Sequence, residues 1–156
     1  MTNNKPIIEG VAIFTGNISG VVLLTQIPRI GVKIEINITG LHPGEHGFHI
    51  HKSGDLRKGC DSCCSHYNPY NKQHGGLDDI NSHAGDLGNI TADHNGNVNA
   101  VINTNKFKVK DIIGRSLIIH KDRDDLGKGR NKDSKLTGNS GARIACAVIG
   151  LSEVSC

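Results

Sequence analysis

Between residues 32 and 38 the chain alternates without a break, with Val32, Ile34, Ile36 and Ile38 on one parity and Lys33, Glu35 and Asn37 on the other. A period of two is the signature of an extended chain, and it puts four β-branched side chains on one face of a sheet. Shorter runs read the same way: Val11 to Phe14, Gly20 to Leu24, Phe48 to His51, Asn97 to Ile102, Ser116 to His120 and Ala142 to Ile149, with Lys106 to Val109 a shorter candidate. No long segment carries a helical apolar period. Turn residues separate the runs, and Asn95-Gly96 predicts a hairpin because both residues tolerate positive φ. Many short strands within 156 residues predict one domain, an antiparallel sandwich or barrel.

The charge balance narrows the function. Eighteen Lys and Arg oppose fifteen Asp and Glu, leaving +3, and the two signs are interspersed. With no basic helix face and no aromatic ladder, the chain lacks the equipment of a nucleic-acid binder. Residues 1–10 hold no apolar core of secretory length, and no later run approaches 18 apolar residues, so a cytoplasmic location is expected. Five cysteines neither complete a disulfide framework nor prove a reducing compartment.

Two stretches, Ser53 to Asn89 and Asp122 to Gly141, are too long and too polar for simple connections, which points to function or internal fastening. Histidines cluster in and around the first. On an extended strand His49 and His51 share a face while Phe48 and Ile50 point into the core. One such histidine alone is more often a hydrogen-bonded core or surface group, but a pair with further imidazoles nearby is not. His66, His74, His83 and Asp86 offer the donors of a tetrahedral zinc site, and His120 ends an apolar strand. Together these exceed what one ion uses, so two neighbouring ions are expected. A deprotonated imidazole can join two cations, and imidazole-rich ligation also suits Cu²⁺. Spacing alone leaves open which histidine bridges and which metal sits where. His42 reads as a surface residue, His46 as a brace for a loop, and His94 as a solvated turn residue.

Several ordered segments resemble one family. They are Gly47-Phe48-His49-Ile50-His51, Gly59-Cys60, His66-Tyr67-Asn68-Pro69, His74-Gly75-Gly76 and His83-Ala84-Gly85-Asp86-Leu87-Gly88-Asn89. Further on come Ile112-Ile113-Gly114-Arg115, His120, Asp124-Asp125-Leu126-Gly127-Lys128-Gly129 and Gly141-Ala142-Arg143-Ile144-Ala145-Cys146. From about residue 10 to residue 151 the chain resembles the copper, zinc superoxide dismutase family, in its eukaryotic-type intracellular branch.

The resemblance implies an eight-stranded antiparallel Greek-key β-barrel, immunoglobulin-like, with two long functional loops, the whole of 1–156 forming a single domain. It implies one copper held by His49, His51, His66 and His120, and one zinc held by His66, His74, His83 and Asp86. Asp124 is similar to a carboxylate that accepts hydrogen bonds from a histidine of each site, and Arg143 resembles an anion-guiding residue beside copper. Cys60 and Cys146 are implied to form a disulfide. The implied reaction converts two superoxide anions and two protons to dioxygen and hydrogen peroxide by Cu(II)/Cu(I) cycling, with His66 exchanging its copper bond for a proton. A copper-storage or delivery protein, or an inactive homologue, is the alternative. The complete ligand set with Asp124 and Arg143 argues for catalysis, whereas an exposed Cys-x-x-Cys would argue for delivery.

The chain also departs from the family pattern. Cys63 and Cys64 stand where small residues are usual before the bridging histidine, and Cys60-x-x-Cys63 reads as incidental thiol, redox pair or interceptor of metal. Cys156 reads as free. Lys132-Asp133 replaces a frequent acidic pair, and Leu136 replaces a frequent Lys, which redistributes the guiding charge. Ile113-Gly114 and Val148-Ile149-Gly150-Leu151 resemble an apolar homodimer surface, although Ser53 stands where dimeric relatives often place a bulky apolar residue. Ala142 and Ile144 occupy positions near which prolines accompany strong copper-chaperone dependence, so weak dependence is expected.

Overall fold

The alternating run becomes a strand whose apolar parity is sealed: Val32, Ile34, Ile36 and Ile38 are each at most 2% exposed. The computed structural model describes residues 6–156; residues 1–5, part of the N-terminal stretch read above for its lack of a secretory core, lie outside the described residues. The strands are β1 (Glu9–Phe14), β2 (Ser19–Ile27), β3 (Gly31–Thr39), β4 (Gly44–His51), β5 (Arg57–Cys60), β6 (Asp86–Ala92), β7 (Val98–Thr104), β8 (Ser116–His120) and β9 (Arg143–Leu151). Eight of them form one sheet in the order β6, β4, β8, β9, β1, β2, β3, β7, every neighbouring pair antiparallel. The sheet curls into a nearly closed barrel, and the chain crosses between its halves from β3 to β4, from β6 to β7 and from β7 to β8. Phe14, Leu24, Phe48, Leu117 and Ile149 are among the side chains that fill its interior.

Three local expectations change. The polar stretch from Ser53 to Asn89 contains β5 and the start of β6. Strand β6 gives no alternating signal because Asp86, Leu87 and Gly88 are all buried in succession, with Gly88 in the left-handed region at φ +76°. The segment from Lys106 to Val109 is not a strand. It leads into a single turn, α1 (Val109–Ile112), whose Val109 and Ile112, three residues apart, are both fully buried.

The third concerns Asn95-Gly96. A turn does form there, but only Gly96 takes positive φ, at +80°. Asp93 Oδ1 accepts from the amides of Asn95 and Asn97, and the Asp93 amide donates to the Asn97 carbonyl at 2.9 Å. The strands it connects, β6 and β7, are the two ends of the sheet order and share no ladder, so the turn sits at the barrel's seam. Among the described residues no helix is long and apolar enough to cross a membrane.

Candidate metal centre

Strand β4 presents His49 and His51 on one parity, both buried, beside β8, which ends in the buried His120. The first long loop returns to this edge through a lone bridge between His51 and His66. One ligand atom from each of His49, His51, His66 and His120 falls within a 4.8 Å cluster. The same limit holds for His49, His66, His74 and Asp86, so the two groups overlap at His49 and His66. His83 joins the second group, its Nδ1 lying 3.1 Å from His66 Nδ1 and 3.3 Å from Asp86 Oδ1.

The donors fit ions. His66 Nδ1 and His74 Nδ1 stand 2.9 and 3.0 Å from Asp86 Oδ1. Tetrahedral zinc with ordinary bond lengths would separate neighbouring donors by about 3.3 Å. The nitrogen of His74 is near that oxygen but not aligned to bond it. His49 Nδ1, His51 Nε2, His74 Nδ1 and His120 Nε2 are buried without any hydrogen-bond partner. Orphaned buried nitrogens are costly and rare, so four of them aimed into one region point to cations.

In each of these rings the opposite nitrogen is tied down. His51 Nδ1 faces the carbonyl of Cys64 at 2.9 Å, and His120 Nδ1 faces that of Gly141 at 3.1 Å. His49 Nε2 lies 2.7 Å from Asp124 Oδ2, and His74 Nε2 lies 2.8 Å from Asp124 Oδ1. A carbonyl or carboxylate can only accept, so each contact puts the proton on the bonded nitrogen and bares the other for a metal. Asp124 thereby links the two donor groups.

Electrostatics follow from burial and these partners. Desolvation, reinforced by neighbouring imidazoles, lowers His49 to about 3, His51 to about 2 and His120 to about 4, so all three are neutral donors at pH 7. For His74 burial acts downward, but its bond to Asp124 and the nearby carboxylate of Asp86 outweigh it and raise the ring to about 9, so an ion binding at Nδ1 would displace a proton there. Burial would raise Asp124, yet His49 and His74 hold it down at about 2. Asp86 is pushed far below the carboxylate range, the histidines around it overcoming its burial.

Two residues carry roles that sequence reading did not assign. Asn89 grips the backbone of Asp124 at both groups, Oδ1 accepting from its amide at 2.7 Å and Nδ2 donating to its carbonyl at 3.0 Å. Gly138 covers the bond between Asp124 and His74 at φ +72°, and a Cβ there would overlap Asp124 Oδ1 and His74 Nε2. Neither position has a chemical signature of its own, since an Asn and a Gly in polar loops read as turn residues. His46 is buried between the carbonyls of His42 and His120, one ring nitrogen 2.8 Å from each, while His42 and His94 are exposed.

A cleft of about 550 Å³ opens over the first group, lined by His51, His66, His120, Thr137, Asn139 and Arg143. Leu136, 61% exposed, borders it. Arg143 Nη1 donates to the carbonyl of Cys60 at 2.9 Å. Cys60 and Cys146 are joined in a disulfide, their Cα atoms 5.6 Å apart. Cys63 is a buried free thiol, and Cys64 and Cys156 are exposed free thiols.

A family model for copper/zinc superoxide dismutase matches residues 18–149. The Cu-Zn superoxide dismutase of Paramecium bursaria Chlorella virus 1 is 44% identical over 153 residues, covering 96% of this chain and 81% of that protein. The copper chaperones for superoxide dismutase of Mus musculus and Homo sapiens are each 47% identical over 137 residues, covering 88% of this chain. The chain spans 50% of the length of each chaperone. Among solved structures, the clock protein EA4 superposes with a TM-score of 0.91 at 39% identity, covering 97% of this chain and 99% of that one.

Proposed function

This chain belongs to the copper/zinc superoxide dismutase family, and we propose that it is a working member: a superoxide dismutase holding one copper and one zinc. The observation that carries this reading is the overlap of two inward-facing donor groups beneath a cleft that also contains Arg143. His49, His51, His66 and His120 would hold copper, and His66, His74, His83 and Asp86 would hold zinc. Copper supplies the one-electron couple that dismutation requires, and zinc a redox-inert charge beside it.

The chain's own residues do the rest. His66 commits Nδ1 to the side of Asp86 and His83, which leaves Nε2 as the nitrogen that can hold or release a proton toward the cleft. Asp124 fixes the orientation of His49 and His74. Arg143 offers a permanent positive charge to a small anion entering the cleft, its guanidinium steadied by the Cys60 carbonyl.

Likeness to copper chaperones raises a delivery reading, in which the same donors pass copper on. Two features favour catalysis. His120 completes the first donor group, and Cys60-x-x-Cys63 offers no exposed dithiol, because Cys60 is in a disulfide and Cys63 is buried. Residues 1–156 act in this reading as one cytoplasmic domain with weak chaperone dependence. Exposed Val148 and Leu151 on β9, with Ile7 and Ile8 near β1, support a homodimer.

The test measures copper, zinc and dismutase activity on one reconstituted sample. One ion of each metal per chain, with turnover proportional to copper and lost in His66→Ala, is the expected result. A fully loaded protein without turnover, or one that binds a single zinc only, would overturn it.

A further inference from the structure

The barrel's seam runs between β6 and β7, which no ladder joins. One side chain crosses it at the end away from the Asn95-Gly96 turn. Lys106 lies two residues beyond β7, where its amide donates to Thr104 Oγ1 at 3.3 Å. Its Nζ reaches the carbonyl of Asp86, the first residue of β6, at 2.5 Å, the carbonyl of His83 at 3.1 Å, and Ser82 Oγ at 3.2 Å. An ammonium has three protons, and all three are spent on a five-residue segment, 82–86.

That segment is not otherwise a sheet element until Asp86, and it carries two of the donors assigned above to zinc. Its inner side is held by Asp86 Oδ2, which accepts from the amides of Gly75 and His83 at 3.0 and 2.9 Å. Its outer side is held by Lys106. The lysine therefore grips the backbone of His83 and Asp86 from behind, while their side chains face the second donor group.

We propose that Lys106 is a positioning residue for the second ion, anchoring the backbone of His83 and Asp86 to the opposite edge of the barrel so that their donor atoms are held in place for the metal. This rests on the reading of His66, His74, His83 and Asp86 as the zinc set. A positive charge here would by itself repel a cation, so a lysine whose dominant effect was Coulombic would weaken binding. Positioning and repulsion thus have opposite signs. Lys106 and Ser82 also line an open cleft of about 590 Å³, so water can reach the three acceptors when the ammonium is removed, and the fold should survive.

The experiment uses the full chain with its disulfide intact, loaded with Co²⁺ as a spectroscopic substitute at the zinc position and, separately, with Zn²⁺. Visible absorption of bound Co²⁺ and the rate of Zn²⁺ loss to a chelator are read for the native protein, Lys106→Met, Lys106→Arg and Ser82→Ala. The expected result is a loss at least about tenfold faster in Lys106→Met, in line with the loss of a group that supports metal ligands. Its cobalt spectrum should weaken or shift, Lys106→Arg should recover most of both, and Ser82→Ala should fall between. Release within twofold of native with an unchanged spectrum, or tighter metal binding in Lys106→Met, would overturn the inference and leave the zinc assignment standing. A native protein that takes up neither Co²⁺ nor Zn²⁺ at this position would overturn both.

Discussion

Arg143 donates to the carbonyl of Cys60 at 2.9 Å, so the guanidinium bordering the cleft hangs from the residue that the disulfide ties to β9. The bridge closes a sequence separation of 86 residues. In the chain-entropy account this stabilises by about 4.5 kcal/mol. Cys146→Ser should lower the unfolding free energy by that order in urea titrations. At matched metal content its dismutase rate should also fall, because Arg143 loses its anchored acceptor. A less stable variant with native turnover would detach Arg143 from the disulfide.

Asp124 is expected to govern metal retention without touching an ion. Asp124→Ala leaves the Nε2 protons of His49 and His74 buried without acceptors, costing roughly 1–3 kcal/mol for each. Zinc affinity should drop about 10- to 100-fold, the usual effect of removing such a partner. Gly138→Ala should act the same way through the clash of its Cβ and its left-handed backbone. Competition with a chelator measures both, and native affinity in Gly138→Ala would show that the bond between Asp124 and His74 tolerates displacement.

Arg143, with Lys128, Arg130, Lys132 and Lys135 of the second long loop, should attract an anion, so the bimolecular rate should fall as salt screens their field. Arg143→Ala should reduce the rate at every ionic strength. Lys132→Glu, on the exposed turn from Lys132 to Lys135, should mainly flatten the salt dependence while leaving metal content native. A flat native curve would reject steering, and identical curves for native protein and Lys132→Glu would remove Lys132 from it.

Metal-free protein should lose stability as pH falls below about 6.5. His49, His51 and His120 have folded values near 3, 2 and 4, below the value they take when unfolded, so the unfolded chain binds more protons across that window. Their loss deepens down to about pH 4 and beyond. His74 has the opposite sign: raised to about 9, its contribution is complete below 6.5 and disappears as pH rises through 9. Urea midpoints recorded from pH 4 to pH 9.5 on chelator-treated protein check both limbs. An acid limb no steeper than exposed carboxylates produce would mean that the three rings are not held neutral.

Periodicity and residue chemistry were enough for some of this. The parity of Val32 to Ile38 and the shared parity of His49 and His51 depend only on the twofold repeat of an extended chain, and the structure keeps both. The excess of imidazoles over what one ion needs was likewise countable. Resemblance, rather than spacing, supplied the pairing of Cys60 with Cys146 and the place of Asp124 between two histidines.

Other features arise only when distant segments meet. β6 was hidden because its first three residues, Asp86 to Gly88, are all buried and offer no alternation to read, and Asn95-Gly96 could not reveal that its strands part at a seam. Asn89, Lys106 and Gly138 act on groups of residues 14 to 64 positions away, so nothing in their local sequence distinguishes them from ordinary loop residues. The amino-acid order determined which faces are apolar and which donors are available. Tertiary structure decided which nitrogen of each ring is held by an acceptor and which is left to face an ion, because that depends on a carbonyl or carboxylate brought there from another part of the chain.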